Sequence, residues 1–177
     1  MLTRLRELPL DRHAIGAFKV ARWATPDEAH ALYVLLQAHR IRTYLECGTA
    51  NGYTALWAAA ADVEHIHTWD VEARHKVWEK FPELKCERII THVGPYHEGL
   101  GTIYAPSPRL YFIDGDHETA AVERDWDWTR RTMEAGDVVV FHDMLGYAGI
   151  GALVRRLLTK YRGGVIRTPR GMGVLFA

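Results

Sequence analysis

The stretch TYLECGTANGYTALW (residues 43–57) decides how the rest of the chain is read. A short apolar run ends in Glu46 and Cys47, two glycines follow with three residues between them, and a helical pattern begins at once. A strand that stops at a glycine-rich turn before a helix opens a βα unit and usually encloses something small. Gly48 and Gly52 allow the backbone to come close to a ligand. The helix after Gly52 offers free N–H groups and a positive dipole end, suited to the carboxylate of an amino-acid-like ligand. The spacing Glu-x-Gly-x-x-x-Gly departs from the Gly-x-Gly-x-x-Gly of dinucleotide sites, and a tight turn alone would also use two glycines.

Outward from this stretch, short apolar runs alternate with helical patterns. The runs are TYLEC (43–47), HIHTWD (65–70), RIITHVG (88–94), RLYFID (109–114) and DVVVFHD (137–143). Helical patterns precede or separate them: TPDEAHALYVLLQAHR, with a threonine cap, a proline and first-turn acids, then YTALWAAAA, EARHKVWEKF and HETAAVERDWDWTRRTMEA, with a poorly defined piece near 96–104. This alternation predicts a parallel sheet with helices on both faces. GALVRRLLTKY then reads as a helix, and GGVIRTP and GMGVLFA as a hairpin that closes the sheet with an antiparallel strand. The expected fold is α/β, Rossmann-like and doubly wound, with a mostly parallel seven-stranded sheet. It is one domain spanning 1–177, an N-terminal arm at 1–25 and a core at 26–177.

The bulk numbers agree with that outline. A chain of 177 residues, 48% hydrophobic and 25% charged, supports one sizeable core. Lys plus Arg and Asp plus Glu both total 22, so the net charge gives no reason to expect nucleic acid or an anionic membrane as partner. The basic stretch RRLLTKYR (155–162) reads as the solvated face of a helix. Cys47 and Cys86 form no paired motif, which argues against a disulfide scaffold or a zinc cluster, and Cys47 reads as a small buried hydrophobe. MLTRLRELPLDRH is broken by charges too early for a signal peptide, and no apolar run is long enough to span a bilayer; a cytoplasmic protein is expected.

Ligands of open α/β sheets bind at the carboxyl ends of the strands. The residues standing there are Glu46 with Gly48, then Asp70, Gly94, Asp114 with Asp116 and His117, and His142 with Asp143. Asp70 closes the second strand, where a carboxylate can accept both hydroxyls of a ribose, or cap the helix starting near Glu72. Trp57, Trp69, Trp78, Trp126 and Trp128 fall at core or helix-surface spacing, and Tyr147 and Tyr53 are candidates for the substrate mouth.

Together YLECGTANGYTALW, HTWDVEA, YFIDGDHETAAVERD, AGDVVVFHDML and RTPRGMGVLF resemble the class I S-adenosylmethionine-dependent methyltransferases, and within them the small-molecule O-methyltransferases with IDGDH and FHD patterns. The likeness covers residues 28–177. It implies S-adenosylmethionine as cofactor and a hydroxyl of a small molecule, a phenol, catechol or sugar, as acceptor. It places Glu46, Gly48 and Gly52 around the methionine portion, with Thr49, Asn51 and Tyr53 in the same turn. Asp70 and Val71 fall at the ribose, Gly94, Pro95 and Tyr96 beside adenine, and Asp114 at the edge of the cofactor site.

The resemblance also implies a divalent metal on Asp114, His142 and Asp143, which would lower the pKa of the acceptor oxygen. Relatives often carry Asp-Asp, Asp-Asn or Glu-Asp where this chain has His142-Asp143. An imidazole suits manganese or another transition ion better than magnesium. The alternative is a histidine satisfied by a neighbouring carboxylate at a strand end. His117, with an unperturbed pKa near ~6.5, is the candidate general base. Asp116 would orient it, compete with it, or cap the next helix.

Two other readings stand beside this one: a nicotinamide-dependent oxidoreductase on the same kind of sheet, and a non-catalytic cofactor-binding module that kept the fold. Few residues remain outside the sheet and its helices to form a lid, so the substrate mouth is either open or completed by another subunit, and a homodimer or larger assembly is expected.

Overall fold

The computed structural model describes residues 24–72 and 87–177. The expected arm at 1–25, save its last two residues, lies outside the described residues, as do Trp78, Cys86 and, except for Glu72, the helix expected on EARHKVWEKF.

Helix α1 (Pro26–Ala38) is followed by β1 (Thr43–Cys47), α2 (Tyr53–Ala60), β2 (His65–Asp70) and β3 (Ile89–Val93). Then come α3 (Tyr96–Gly99), continued by a 3₁₀ turn at Leu100–Thr102, β4 (Arg109–Ile113), α4 (Thr119–Thr132), β5 (Val138–Phe141), α5 (Ala148–Leu157), β6 (Arg162–Ile166) and β7 (Met172–Phe176). The sheet order is β3-β2-β1-β4-β5-β7-β6. The first five strands run parallel and β7 runs antiparallel to both of its neighbours. Strand β1 therefore pairs with β2 on one side and β4 on the other, which makes it the point where the winding reverses and a crevice opens at the strand ends.

The apolar runs fold this way because β1, β4 and β5 are buried on both faces. Alternation sends Tyr44, Phe112, Val138 and Val140 to one layer with Leu32, Leu36, Ala55 and Ala58 of α1 and α2. It sends Leu45, Tyr111, Val139 and Phe141 to the other, with Val122 and Trp126 of α4 and Leu153 and Val154 of α5. Each fully buried Leu, Val or Phe among them contributes about 1.5–3 kcal/mol.

The mostly parallel sheet and its antiparallel hairpin are as the sequence predicts, with one refinement. The later hairpin strand is the inner one: β7, MGVLF, is buried along nearly its whole length between β5 and β6. Strand β6, RGGVI, carries the glycines and the arginine and takes the edge, where a half-wet strand is tolerated. Helix α4 begins at Thr119, so Gly115–Glu118 stay in the loop after β4 and leave His117 free of the helix. Its entry is set by Asp116, whose Oδ1 accepts the Glu118 N–H at 2.9 Å.

Candidate active site

Gly48 leaves β1 at φ +97°, and a Cβ there would lie 2.2 Å from the Asp114 carbonyl oxygen. Its N–H and that of Thr49 donate to the Trp69 carbonyl at 2.8 and 3.0 Å, while the Asp114 N–H donates to the Cys47 carbonyl at 3.0 Å. The glycine is required because the end of β4 crosses the turn, a reason internal to the fold that stands beside the ligand approach its position suggests. Gly48→Ala is expected to lose about 1–3 kcal/mol, since strain at positive φ and the crossing carbonyl act together; a lowered thermal unfolding midpoint would show it.

Glu46 does not reach the crevice. It is fully buried, and its carboxylate accepts from Tyr44 Oη at 2.7 Å, from Thr68 Oγ1 at 2.6 Å and from Thr54 Oγ1. Burial raises its pKa to about 7 against the pull of those three hydroxyls. Glu46 stands behind the first turn and ties β1, β2 and α2 together, and it takes no place in the cavity wall.

The turn opens into a cavity of about 340 Å³ at the carboxyl ends of β1, β2, β3 and β4. Gly48, Thr49, Asn51 and Tyr53 line it from the first loop, Asp70 and Val71 from the second, Gly94, Pro95 and Tyr96 from the third, and Asp114 with Asp116 from the fourth. Gly52 lies just outside the wall, capping α2 at φ +79°. Asp70 Oδ2 accepts the Ala50 N–H at 2.9 Å, which binds the second strand end to the first loop, and Oδ1 accepts the Glu72 N–H at 3.2 Å. Trp69, expected in the core, packs there and also lines the cavity, its ring stacked on His92 at 4.4 Å. Tyr96 meets Trp69 edge-on and places its hydroxyl 3.2 Å from Thr129 Oγ1.

Sequence reasoning missed the polar floor of this cavity. Cys47 Sγ donates to Asp125 Oδ2 at 3.4 Å, and His97 Nδ1 lies 3.5 Å from Asp125 Oδ1. Asp125 sits in the middle of α4, in a run that reads as an ordinary charged helix face.

Beyond Asp114 the ionisable groups form a chain. His142, 1% exposed at the end of β5, places Nδ1 2.9 Å from Asp114 Oδ1 and 3.5 Å from Asp143 Oδ2. Its Nε2 lies 3.2 Å from Glu28 Oε2, within ion-pair distance although not aligned for a hydrogen bond. Burial disfavours the imidazolium, but three carboxylates outweigh it and push the His142 pKa up to about 12. Glu28, which burial would raise, is held at about 2 by His142 and by the N–H groups of Thr25 and Arg170. That residue closes the capping box of α1 with Thr25 and accepts the Arg170 N–H at 3.0 Å.

Asp143 takes the left-handed conformation at φ +57°, where its short side chain turns back over the strand end. His117 Nε2 stands 2.7 Å from its Oδ2, and Arg170 Nη1 lies 3.3 and 3.4 Å from its two oxygens. The Asp143 carboxylate raises the His117 pKa above its ordinary value, against the opposing effect of burial. In turn His117, His142 and Arg170 hold Asp143 well below the usual carboxylate range despite its burial. The group that orients His117 is thus Asp143 and not Asp116, whose Oδ1 bond goes to its own loop. Tyr147 stacks on the His117 ring at 4.3 Å.

The chain matches the family model described as "Methyltransferase domain" over residues 45–144. Solved structures share the fold across nearly the whole chain. An O-methyltransferase from Bacillus cereus in complex with SAH aligns with a TM-score of 0.75 at 17% identity, covering 99% of this chain and 91% of that one. The O-methyltransferase TomG from Streptomyces achromogenes, involved in tomaymycin synthesis and in complex with SAM, aligns at 0.67 and 20% identity over 93% and 86%. A methyltransferase from Geobacter sulfurreducens aligns at 0.70 and 13% identity over 92% and 84%. No curated protein matches the sequence. The match spans β1 to the end of β5, the segment that builds the crevice and its ionisable chain, and on it this protein belongs to the methyltransferase-domain family.

Proposed function

We propose that the protein is an S-adenosylmethionine-dependent methyltransferase acting on an oxygen of a small molecule, with His117 as the base. One observation carries this reading. The crevice formed by the Gly48 turn, Asp70 and Gly94 ends at Asp114, and from Asp114 an unbroken set of contacts leads through His142 and Asp143 to His117. In the cofactor's favour, Asp70 and Val71, the residues that would meet a ribose, and Thr49 and Asn51, those that would meet the methionine end, line one cavity. The B. cereus and S. achromogenes neighbours are O-methyltransferases in complex with SAH and SAM, which supports the same assignment.

S-adenosylmethionine, when bound, supplies a methyl on a sulfonium; the acceptor oxygen gains the O–C bond and the sulfur keeps the electron pair of the broken S–C bond. His117 takes the acceptor proton. With its Nε2–H donated to Asp143, the lone pair is on Nδ1, and Asp143 stabilises the imidazolium that forms. Such a base is matched to a phenol, which titrates near ~10, and falls far short of an alkanol.

A divalent ion does not fit the residues as arranged. One ligand atom each of Asp114, His117 and Asp143 lie within 4.8 Å of one another. Yet Asp114 already faces His142, and Asp143 faces His117, His142 and Arg170, so the carboxylates are balanced by cations built into the chain. The ligand set that the resemblance implies fails at His142, whose two ring nitrogens are both turned to carboxylates.

Calorimetric titration with S-adenosylhomocysteine tests the reading. Binding near micromolar, about −8 kcal/mol, is expected, and absence of binding would overturn it. Manganese or magnesium titrated alone should give no heat, and S-adenosylhomocysteine affinity should be the same with a chelator; metal-dependent affinity would restore the ion. A cytoplasmic location and a homodimer belong to the same reading. Free, buried Cys47 supports the first, and light scattering at micromolar concentration tests the second.

A further inference from the structure

The rim beyond His117 carries three residues that the chemistry above leaves partly unused. Tyr147 covers one face of the His117 ring and is 44% exposed, and Leu145 stands 57% exposed with its N–H donated to the Arg170 carbonyl at 2.8 Å. Arg170 is fixed at both ends: its backbone N–H goes to Glu28, and Nη1 goes to Asp143. Its side chain is 30% exposed, and Nε and Nη2 have no partner among the described residues. The base and the guanidinium thus lie within 3.3 Å of one oxygen, Asp143 Oδ2, between an aromatic and an aliphatic wall.

A guanidinium held along one edge keeps donors for a second acceptor, and its planar fork suits carboxylate and phosphate oxygens. A cation also next to the phenol oxygen would favour the phenolate as the proton leaves. We infer that the acceptor is a phenol bearing an oxyanion group, a carboxylate or a phosphate, and that Arg170 is the residue selecting for it; this rests on the O-methyltransferase reading above. His117 removes the phenol proton, Arg170 holds the anion, and Tyr147 and Leu145 flank the ring.

The test compares methylation of hydroxybenzoates, hydroxyphenyl phosphates and the uncharged hydroxybenzamides by the native protein, Arg170→Gln and Arg170→Lys. S-adenosylhomocysteine affinity is measured on each. The native protein should favour one of the anionic sets by about 10- to 100-fold in kcat/KM, chiefly through KM, the range expected from a charge-assisted hydrogen bond. Arg170→Gln should bring that ratio close to one, and Arg170→Lys should recover part of it. Which anionic set leads separates a carboxylate from a phosphate. A native protein with no preference for the anion, or a ratio unchanged in Arg170→Gln, would overturn the assignment. So would a loss of S-adenosylhomocysteine affinity in Arg170→Gln, because the guanidinium would then serve the cofactor. If the native protein fails to bind S-adenosylhomocysteine, the parent reading fails instead, and the two failures are distinct.

Discussion

Replacing His142 by alanine is expected to lower folding stability by about 3–5 kcal/mol, the cost of removing one partner of a buried ion pair. Three carboxylates face that ring: Glu28 from α1, Asp114 from the end of β4 and Asp143 from the residue next to it. Without the imidazolium, Glu28 and Asp143 lose a cation in a nearly water-free setting, and Asp114, whose pKa burial already raises, loses its main support. Urea unfolding at pH 6 measures the loss; a midpoint equal to that of the native protein would remove His142 from the role of central cation.

The pH dependence gives a second handle on the same group. The folded pKa of about 12 lies above the ordinary 6.5, so the His142 contribution is complete below pH 6.5. It is lost as pH rises, because the unfolded chain gives up a proton that the folded chain keeps. Glu46 acts in the same direction between 4.5 and about 7, since its buried carboxyl is neutral in the fold and ionised outside it. Glu28 and Asp143, both depressed, contribute above the ordinary carboxylate range and lose their contribution as pH falls through it. Stability should therefore peak between about 4.5 and 6.5 and fall towards pH 9. In His142→Ala the fall above pH 7 should be much shallower.

The other large effect belongs to His117. His117→Ala should cut kcat by about 10²–10⁴-fold, the usual contribution of a positioned base, while S-adenosylhomocysteine binds as before. In the native protein kcat/KM for the acceptor should rise with pH through a midpoint above 6.5, because the Asp143 bond favours the protonated ring and the base must be free of its proton. Asp143→Asn should shift that midpoint down. Turnover unchanged in His117→Ala would end the base assignment.

The sequence was most legible where one residue type repeats a physical instruction. VVVF reads as a buried strand and is one, whereas the hairpin was legible only as a hairpin, and the inner place of MGVLF with RGGVI at the edge came from the structure. The rim carboxylates were readable because strand ends are fixed by the apolar runs before them. What could not be read was partnership. Glu28 reads as a first-turn acid and closes the capping box with Thr25, but its other oxygen accepts from Arg170, 142 residues away. His142 could be typed as a ligand or as a satisfied histidine, and nothing in the sequence signals that carboxylates from three elements converge on it. Arg170 sits in a turn whose local chemistry gives no sign of Asp143.

The placing of β7 between β5 and β6 bears on how the molecule comes into being. Strand β6 emerges from the ribosome ahead of β7, yet it touches the sheet only through β7. During synthesis β6 must wait as an unpaired segment, and RGGVI, with two glycines and an arginine, is poorly suited to recruit a strand from another nascent chain. The composition that makes β6 a weak edge in the finished protein also protects it during that delay.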